Sequence, residues 1–266
     1  MTPDQHAEAA ETLFQAEVSG EQCRLLSLQY PGMTLDDAYA VQAALVARKM
    51  AAGRQRIGWK IGLTSRAMQD ALKIDTPDSG VLLDDMLFET GDTVPAGRFI
   101  QPRVEAEIAF IMKAPLAGVD CTRADVLMAT NCVAPSLEIL DTRIQRADAA
   151  SGKARIITDT ISDNAANAGI VLGAERHAID ARDLRWTGAI VSRNGTVEET
   201  GLGAGVLNDP VTSVLWLARR MASYGQQIEA GDIVLSGSFI RPIECSQGSE
   251  ISADFGPFGS VDINFA

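Results

Sequence analysis

Pro102-Arg-Val-Glu-Ala-Glu-Ile-Ala-Phe-Ile111 is the stretch on which both the fold and the chemistry of this chain turn. As a strand it puts Val104, Ala106, Ile108 and Phe110 on one face. Glu105 and Glu107 share the other, followed there by Ala109 and Ile111. The first face is that of a strand packed on a core. The second passes from two carboxylates to apolar residues within a few positions, whereas a solvated face stays polar. Side chains two apart on a strand stand roughly 7 Å apart, near enough to converge on one hard cation. An ordinary wet strand carrying acidic residues is the competing reading at this point.

On either side the pattern divides. Thr34-Leu-Asp-Asp37 has an acid three residues after a threonine, a capping-box pattern. Ala38, Val41, Leu45 and Val46 follow at helical spacing toward Gly53, so a helix is expected. A short strand over 57–61 comes next, and Ser65 caps a second short helix reaching about Leu72. Residues 1–75 are therefore expected to form an N-terminal helical part and 76–266 a β-rich catalytic domain. Strands are expected over 81–83, 103–112, 132–140 and 169–172. Asn194-Gly195 joins 186–193 to 196–200 as a hairpin, because both residues suit a type I′ turn. Asn208-Asp209-Pro210 reads as a cap and first-turn proline, opening a helix through Val214, Leu217, Ala218 and Met221 toward Gly225. The C-terminal segment reads as a meander over 232–236, 250–255 and 260–265, and 147–153 as a flexible loop.

The bulk numbers exclude several classes. The chain has 266 residues, 46% hydrophobic and 22% charged, as for one large globular domain or a main domain with an appendage. A net charge of −12 repels phosphate backbones and anionic membranes, so neither nucleic acid nor membrane is an expected partner. No apolar run approaches the roughly 18 residues of a membrane span. The polar N-terminal stretch lacks the regions of a signal peptide. Cys23, Cys121, Cys132 and Cys245 are scattered, form no CxxC pair and read as reduced thiols. Together these features point to the cytoplasm. Only two histidines are present, His6 in a terminus expected to fray and His177 after a turn-like stretch, so neither a histidine-based triad nor a histidine-ligated zinc site is expected. An anionic substrate would need a local positive centre here, either a metal or an arginine.

Four further stretches bear on chemistry. Ala134-Pro-Ser-Leu-Glu-Ile-Leu-Asp-Thr142 sets Glu138 in an apolar run, where a carboxylate must be paired, protonated or metal-bound; Arg143 is a competing partner. Added to Glu105 and Glu107, it would complete an oxygen set suited to Mg2+ or Mn2+ and not to zinc. Gly58-Trp-Lys-Ile-Gly-Leu-Thr64 places Lys60 among apolar and glycine residues. A lysine there is desolvated and poised as acid or base, unless it lays only its stem on the surface. Asp159-Thr-Ile-Ser-Asp-Asn-Ala-Ala-Asn167 is rich in side chains that bond their own backbone, and Leu235-Ser-Gly-Ser-Phe-Ile-Arg-Pro242 runs from a strand into glycine and serine. Asn164 in the first of these, and Ser238 and Arg241 in the second, are the expected substrate contacts.

Taken in order, GWKIGLTS, TPDSGVLLDDM, IQPRVEAEIAFI, APSLEILDTRI, DTISDNAANAG and EAGDIVLSGSF resemble the hydratase/decarboxylase branch of the fumarylacetoacetate hydrolase superfamily, over nearly the whole chain. The resemblance implies a mixed α/β (α+β), β-rich barrel-like roll with a small N-terminal helical part. It implies a divalent cation, Mg2+ or Mn2+, on Glu105, Glu107 and Glu138, with Lys60 and Asp78 moving protons. The hydrolase members use a histidine-assisted water, and this chain has no histidine at a comparable place. The activity implied is addition of water to a small 2-oxo dicarboxylic acid, 2-oxohept-4-ene-1,7-dioate, in aromatic (homoprotocatechuate) catabolism. Arg241 would hold the distal carboxylate, since arginine grips a carboxylate as a fork. A 2-oxopent-4-enoate hydratase, a decarboxylase of the 4-oxalocrotonate type and, more distantly, a non-catalytic partner subunit are the alternatives. The resemblance also implies a large homo-oligomer.

Overall fold

The computed structural model describes residues 1–266 apart from 67, 68, 71–73 and 75. Its first elements are helices α1 (Pro3–Ser19), α2 (Leu26–Gln29) and α3 (Leu35–Ala51). Thr2 caps α1 and Thr34 caps α3, each through a capping box, the second with Asp37 as expected. Asp37 also takes the Met1 ammonium at 2.8 Å and His6 at 2.9 Å, so the terminus expected to fray is tied down. Ala9, Leu13, Leu25, Leu26, Val41 and Leu45 close a small core with Ile144. The helix expected from Ser65 to Leu72 falls largely on residues outside those described. No helix among the described residues is long and apolar enough to cross a membrane.

The described strands form two sheets. The larger runs β2 (Asp78–Leu83), β1 (Arg56–Gly62), β10 (Ile233–Leu235), β5 (Arg103–Met112), β6 (Thr130–Leu140), β7 (Asn167–Leu172) and β3 (Leu87–Glu89), with β11 (Ile243–Glu244) also paired to β5. The smaller runs β4 (Thr93–Val94), β13 (Ser260–Phe265), β12 (Glu250–Asp254), β8 (Gly188–Arg193) and β9 (Thr196–Leu202). Further helices among the described residues include α4 (Arg123–Ala129), α5 (Ile157–Ser162) and α6 (Pro210–Ser223). The fold is mixed α/β and β-rich.

One face of β5 behaves as its alternation predicts. Val104, Ala106, Ile108 and Phe110 join Val191, Ala253 and Val261 from the smaller sheet, Phe258 from the turn between β12 and β13, and Val214 and Leu217 of α6 in one core. Burial of each large side chain contributes about 1.5–3 kcal/mol, so this face fixes the register of β5. The opposite face is then set without freedom: Glu105 and Glu107 lie together, and beyond them Ala109 meets Leu82, Ile170 and Leu235. The hairpin turn has Asn194 at φ 52° and Gly195 at φ 75°, as a type I′ turn requires. Asp209 caps α6, accepting from the Val211 N–H at 2.9 Å.

One expectation needs correction. The C-terminal strands do not form one meander: β12 and β13 pair in the smaller sheet, whereas β10 enters the larger one between β1 and β5. Ile233-Val-Leu235 is a continuous apolar run, which suits a strand covered on both faces rather than an edge. The strand expected over 57–61 is β1, and it pairs with both β2 and β10.

Candidate metal centre

The centre follows from the register of β5 against β6. Glu105 stands directly opposite Glu138, and Glu107 lies two residues along the same face, opposite Ser136. One carboxylate oxygen from each of the three lies within 4.8 Å of the others. Glu107 and Glu138 are 0% exposed, and Glu105 is half-buried. Like charges opposed across a ladder are destabilising, and each buried carboxylate costs more still. A sheet that holds three of them together requires compensating charge.

The protein supplies part of it. The Asn167 amide donates to Glu138 Oε1 at 2.8 Å, and the Gly237 N–H donates to Glu107 Oε2 at 2.7 Å. Lys60 Nζ stands 3.6 Å from Glu138 Oε1 and 3.8 Å from Asp78 Oδ1. Even so, Glu107 Oε1, Glu138 Oε2 and Asp78 Oδ1 are buried without a partner among the described residues. One ammonium cannot balance four carboxylates, and three of the buried carboxylate oxygens without a partner lie in this cluster. Three hard oxygen donors with open lone pairs fit Mg2+ or Mn2+. The competing arrangement for Glu138 does not occur, since Arg143 turns to Asp163.

Lys60 and Asp78 arrive from neighbouring antiparallel strands, with Lys60 opposite Gly80 and Gly62 opposite Asp78. Gly62 is the reason they meet: a Cβ at 62 would lie 2.3 Å from Asp78 Oδ1 and 2.9 Å from Lys60 Nζ. Burial opposes the Lys60 charge, but Glu138, Asp78, Glu105 and Glu107 outweigh it and hold the ammonium protonated. Burial raises the Asp78 carboxyl, and Lys60 and the Gly62 N–H only partly offset this. Burial and the Glu138 charge push Glu105 up to about 8, and the same causes raise Glu107 well above the carboxylate range. Glu138 is raised as well, because burial exceeds the pull of Lys60.

These directions predict a pH effect with a definite sign. Between the ordinary glutamate value of about 4.3 and about 8, the metal-free folded protein binds more protons than the unfolded chain. Its stability should therefore fall as pH rises through that window. A divalent cation must displace those protons, so its affinity should rise over the same interval. Thermal melts in EDTA and in Mg2+ across the window should diverge with rising pH. Parallel, flat curves would show that the carboxyls are not in one proton-holding cluster.

Two partners of the centre were not expected as such. Asn167 lies in the polar stretch 159–167, but the residue picked there as a substrate contact, Asn164, has another task. Its amide is paired to the backbone of Val81, donating to the carbonyl at 2.9 Å and accepting from the N–H at 2.8 Å. Asn164, Ala165 and Ala166 have φ of 52°, 53° and 60°, a left-handed turn that costs roughly 1–2 kcal/mol per non-glycine residue. The side-chain clamp on Val81 holds that turn, and Arg143 ties it down through the carbonyls of Asp163 and Asn167. The result is that Asn167 enters β7 facing Glu138. Asn167→Ala should weaken Mg2+ binding by about 10–100-fold without unfolding the protein, as calorimetry would show. The Gly237 N–H is the second unforeseen partner, and only its place in the 235–242 stretch hinted at it.

The remaining expected contacts have partners of their own. Ser238 spends its hydroxyl on Ile240, donating to the carbonyl at 2.9 Å and accepting from the N–H at 3.2 Å. Arg241 is 80% exposed in its side chain and pairs with Glu199 of β9 at 2.7 Å, so a surface carboxylate already occupies its fork. His177 stacks on Phe258 and bonds its carbonyl at 2.9 Å, a packing role.

Known proteins share this arrangement of chain. A family model described as Fumarylacetoacetate (FAA) hydrolase C-terminal matches residues 46–264. The chain is 49% identical over 260 residues to a 2-oxo-hept-4-ene-1,7-dioate hydratase of Escherichia coli, covering 98% of this chain and 97% of that one. It is 38% identical over 265 residues to a 2-keto-4-pentenoate hydratase of Paraburkholderia xenovorans (strain LB400), covering 100% and 96%. Among solved structures, 4-oxalocrotonate decarboxylase from Pseudomonas putida G7, complexed with magnesium and adipate, matches with a TM-score of 0.93 at 32% identity, covering 100% of this chain and 99% of that one.

Proposed function

The chain belongs to the fumarylacetoacetate hydrolase family, and from that premise we propose that it is a divalent-metal-dependent hydratase that adds water to 2-oxohept-4-ene-1,7-dioate, giving 4-hydroxy-2-oxoheptane-1,7-dioate. The observation that carries this reading is the convergence of Glu105, Glu107 and Glu138 in a buried cluster beside Lys60 and Asp78. An inert partner subunit would have no use for buried carboxylate oxygens without partners.

Glu105, Glu107 and Glu138 would hold Mg2+ or Mn2+, which when bound supplies Lewis-acid polarisation of the substrate's 2-oxo group. The rest of the chemistry belongs to the chain. A proton leaves C3 and one arrives at C5, which brings the double bond into conjugation with the ketone. Water then adds its oxygen at C4 and C3 regains a proton, for a net gain of one water. Lys60, held protonated, is suited to donate. Asp78, with a raised carboxyl and an open Oδ1, is suited to accept. Gly62 keeps both in reach of one point.

The named relative at 49% identity supports the seven-carbon diacid. The resemblance of the sequence motifs supports a place in homoprotocatechuate (4-hydroxyphenylacetate) breakdown, and the composition supports the cytoplasm. Exposed Trp186, Ile190 and Leu202, which border one cavity, support a homo-oligomer in which they are covered. A second reading, loss of CO2 from a vinylogous 2-oxo acid, draws on the same centre and on the likeness to the decarboxylase structure. One assay separates them. Loss of the conjugated 2-hydroxyhepta-2,4-dienedioate absorbance with Mg2+ should yield a product heavier by one water and should stop in EDTA. Release of CO2 would promote the decarboxylase. No turnover of this acid or of its five-carbon monoacid analogue would remove the substrate assignment and leave the metal centre.

A further inference from the structure

A seven-carbon diacid has a second carboxylate, and the structure leaves Arg241 committed elsewhere. The cation that could take its place lies in a cavity of about 910 Å³ whose lining reaches residues next to the metal centre. Thr64 lines that cavity and is wedged against Gly237, where a Cβ would come 2.3 Å from its Oγ1; the same Gly237 donates to Glu107. Pro77, on another part of the wall, directly precedes Asp78.

Three arginines line this cavity: Arg66, Arg219 and Arg220. Arg66 is 82% exposed in its side chain and pairs with Asp70 at 3.4 Å. Arg219 donates to the Cys121 carbonyl at 2.9 Å and 2.6 Å, so it points away from the cavity's polar wall. Arg220 is different. It is half-buried, and among the described residues its guanidinium has neither a carboxylate nor a hydrogen-bond acceptor. Aromatic faces hold it instead: its Cζ lies 4.1 Å from the Tyr39 ring centroid, 5.3 Å from Tyr224 and 5.8 Å from Trp216. Stacking of this kind orients a guanidinium while leaving its edge donors open. Tyr39 is in turn the acceptor for the Ser79 N–H at 3.3 Å, one residue from Asp78, which ties the arginine to the catalytic strand. The Arg220 charge also reaches Asp78, whose carboxyl it helps to lower.

We propose that Arg220 receives the distal carboxylate of the substrate and so sets the preference for a 2-oxo diacid over a 2-oxo monoacid. The assignment rests on the hydratase reading for the identity of the diacid, but its geometry is independent of which bond the centre makes or breaks. Substrate bound at the metal end by its 2-oxo acid head would run past Thr64 and Pro77 into the cavity. There the open guanidinium edge meets its tail as a two-pronged pair. In a chain of net charge −12, a half-buried arginine with no carboxylate partner among the described residues is the feature that makes such a cavity accept an anion.

The test uses Arg220→Gln and Arg220→Lys, with Arg155→Gln as comparison. Arg155 is also close enough to influence Asp78, but it bonds Thr142 Oγ1 at 2.7 Å and does not line the cavity. Calorimetry of the Mg2+-loaded protein with the saturated analogues 2-oxoheptanedioate and 2-oxopentanoate reads binding without turnover. Kinetics on the seven-carbon dienol diacid and the five-carbon dienol monoacid read the reaction. Arg220→Gln should lose roughly 10- to 100-fold in diacid affinity and raise the diacid KM, with monoacid binding unchanged, as expected for one charge-assisted pair. Arg220→Lys should fall between. An equal loss for both acids, no loss for either, or a diacid-selective loss in Arg155→Gln and not in Arg220→Gln would overturn the assignment. If Arg220→Gln does not fold, Arg220→Lys decides, since it keeps the charge and loses the fork. A wild type that turns over neither acid would sink the hydratase reading, while the calorimetry would still decide the role of Arg220.

Discussion

Glu107→Gln is expected to abolish the Mg2+-induced rise in melting temperature and to lower kcat/KM on the diacid by about 10³-fold or more. The amide keeps the volume of the side chain, and its oxygen can still accept from the Gly237 N–H, so the strand register survives. What it loses is the charge and one open oxygen, the features a divalent cation needs. The same change should act in the opposite direction on the metal-free protein. Glu107 is fully buried against Glu138 and Glu105, and its carboxyl is held far above its ordinary range. Removing one of three crowded carboxylates should stabilise the EDTA-treated form by something on the order of 1 kcal/mol near pH 8. Loss of function with gain of stability marks a residue kept for chemistry. Melts of both proteins with and without Mg2+ check it. A variant that melts below wild type in EDTA would show Glu107 to be a structural partner of Gly237 and no more.

Lys60→Met carries the second large effect. Methionine fills much of the same space but has no charge and no proton to give. If Lys60 moves a proton, kcat should fall by about 10²- to 10⁴-fold. The effect on the metal should run the other way. The ammonium sits 3.6 Å from Glu138 Oε1 and competes with any cation placed there. Its removal should leave Mg2+ affinity equal or greater. Calorimetric titration of Mg2+ into both proteins, beside a rate assay, separates the roles. Weaker Mg2+ binding together with lost activity would mean that Lys60 holds the geometry of the centre rather than a proton.

Much of this was legible in the sequence because its signals were local. Strand alternation around Glu105 and Glu107 fixed both the register of β5 and the side on which the carboxylates fall. Glu138 stood out because a charge in an apolar run demands an explanation, and the two capping patterns at Thr34 and Asp209 marked helix starts. What was not legible shares a cause. Asn164 and Asn167 belong to one polar stretch, and their separate duties depend on a left-handed turn clamped to Val81, a residue 83 positions away. Arg241 was chosen for its chemistry, but its position beside Glu199 arises from sheet packing that no local pattern encodes. Arg220 carries no local signal, since a basic residue near the C-terminal end of a helix is commonplace. Its aromatic seat combines α6 with Tyr39 of α3, and only the fold brings them together. The placement of β10 is of the same kind, since an apolar run of three residues does not say which sheet it will join.

The central claim is that Glu105, Glu107 and Glu138 together hold one divalent cation. Anomalous scattering from crystals grown with Mn2+ tests it most directly. A single strong peak should appear in contact with a carboxylate oxygen from each of the three, absent after soaking in EDTA and absent in Glu107→Gln. A Mn2+ peak on other residues, or none between these carboxylates in protein that turns over substrate, would contradict it.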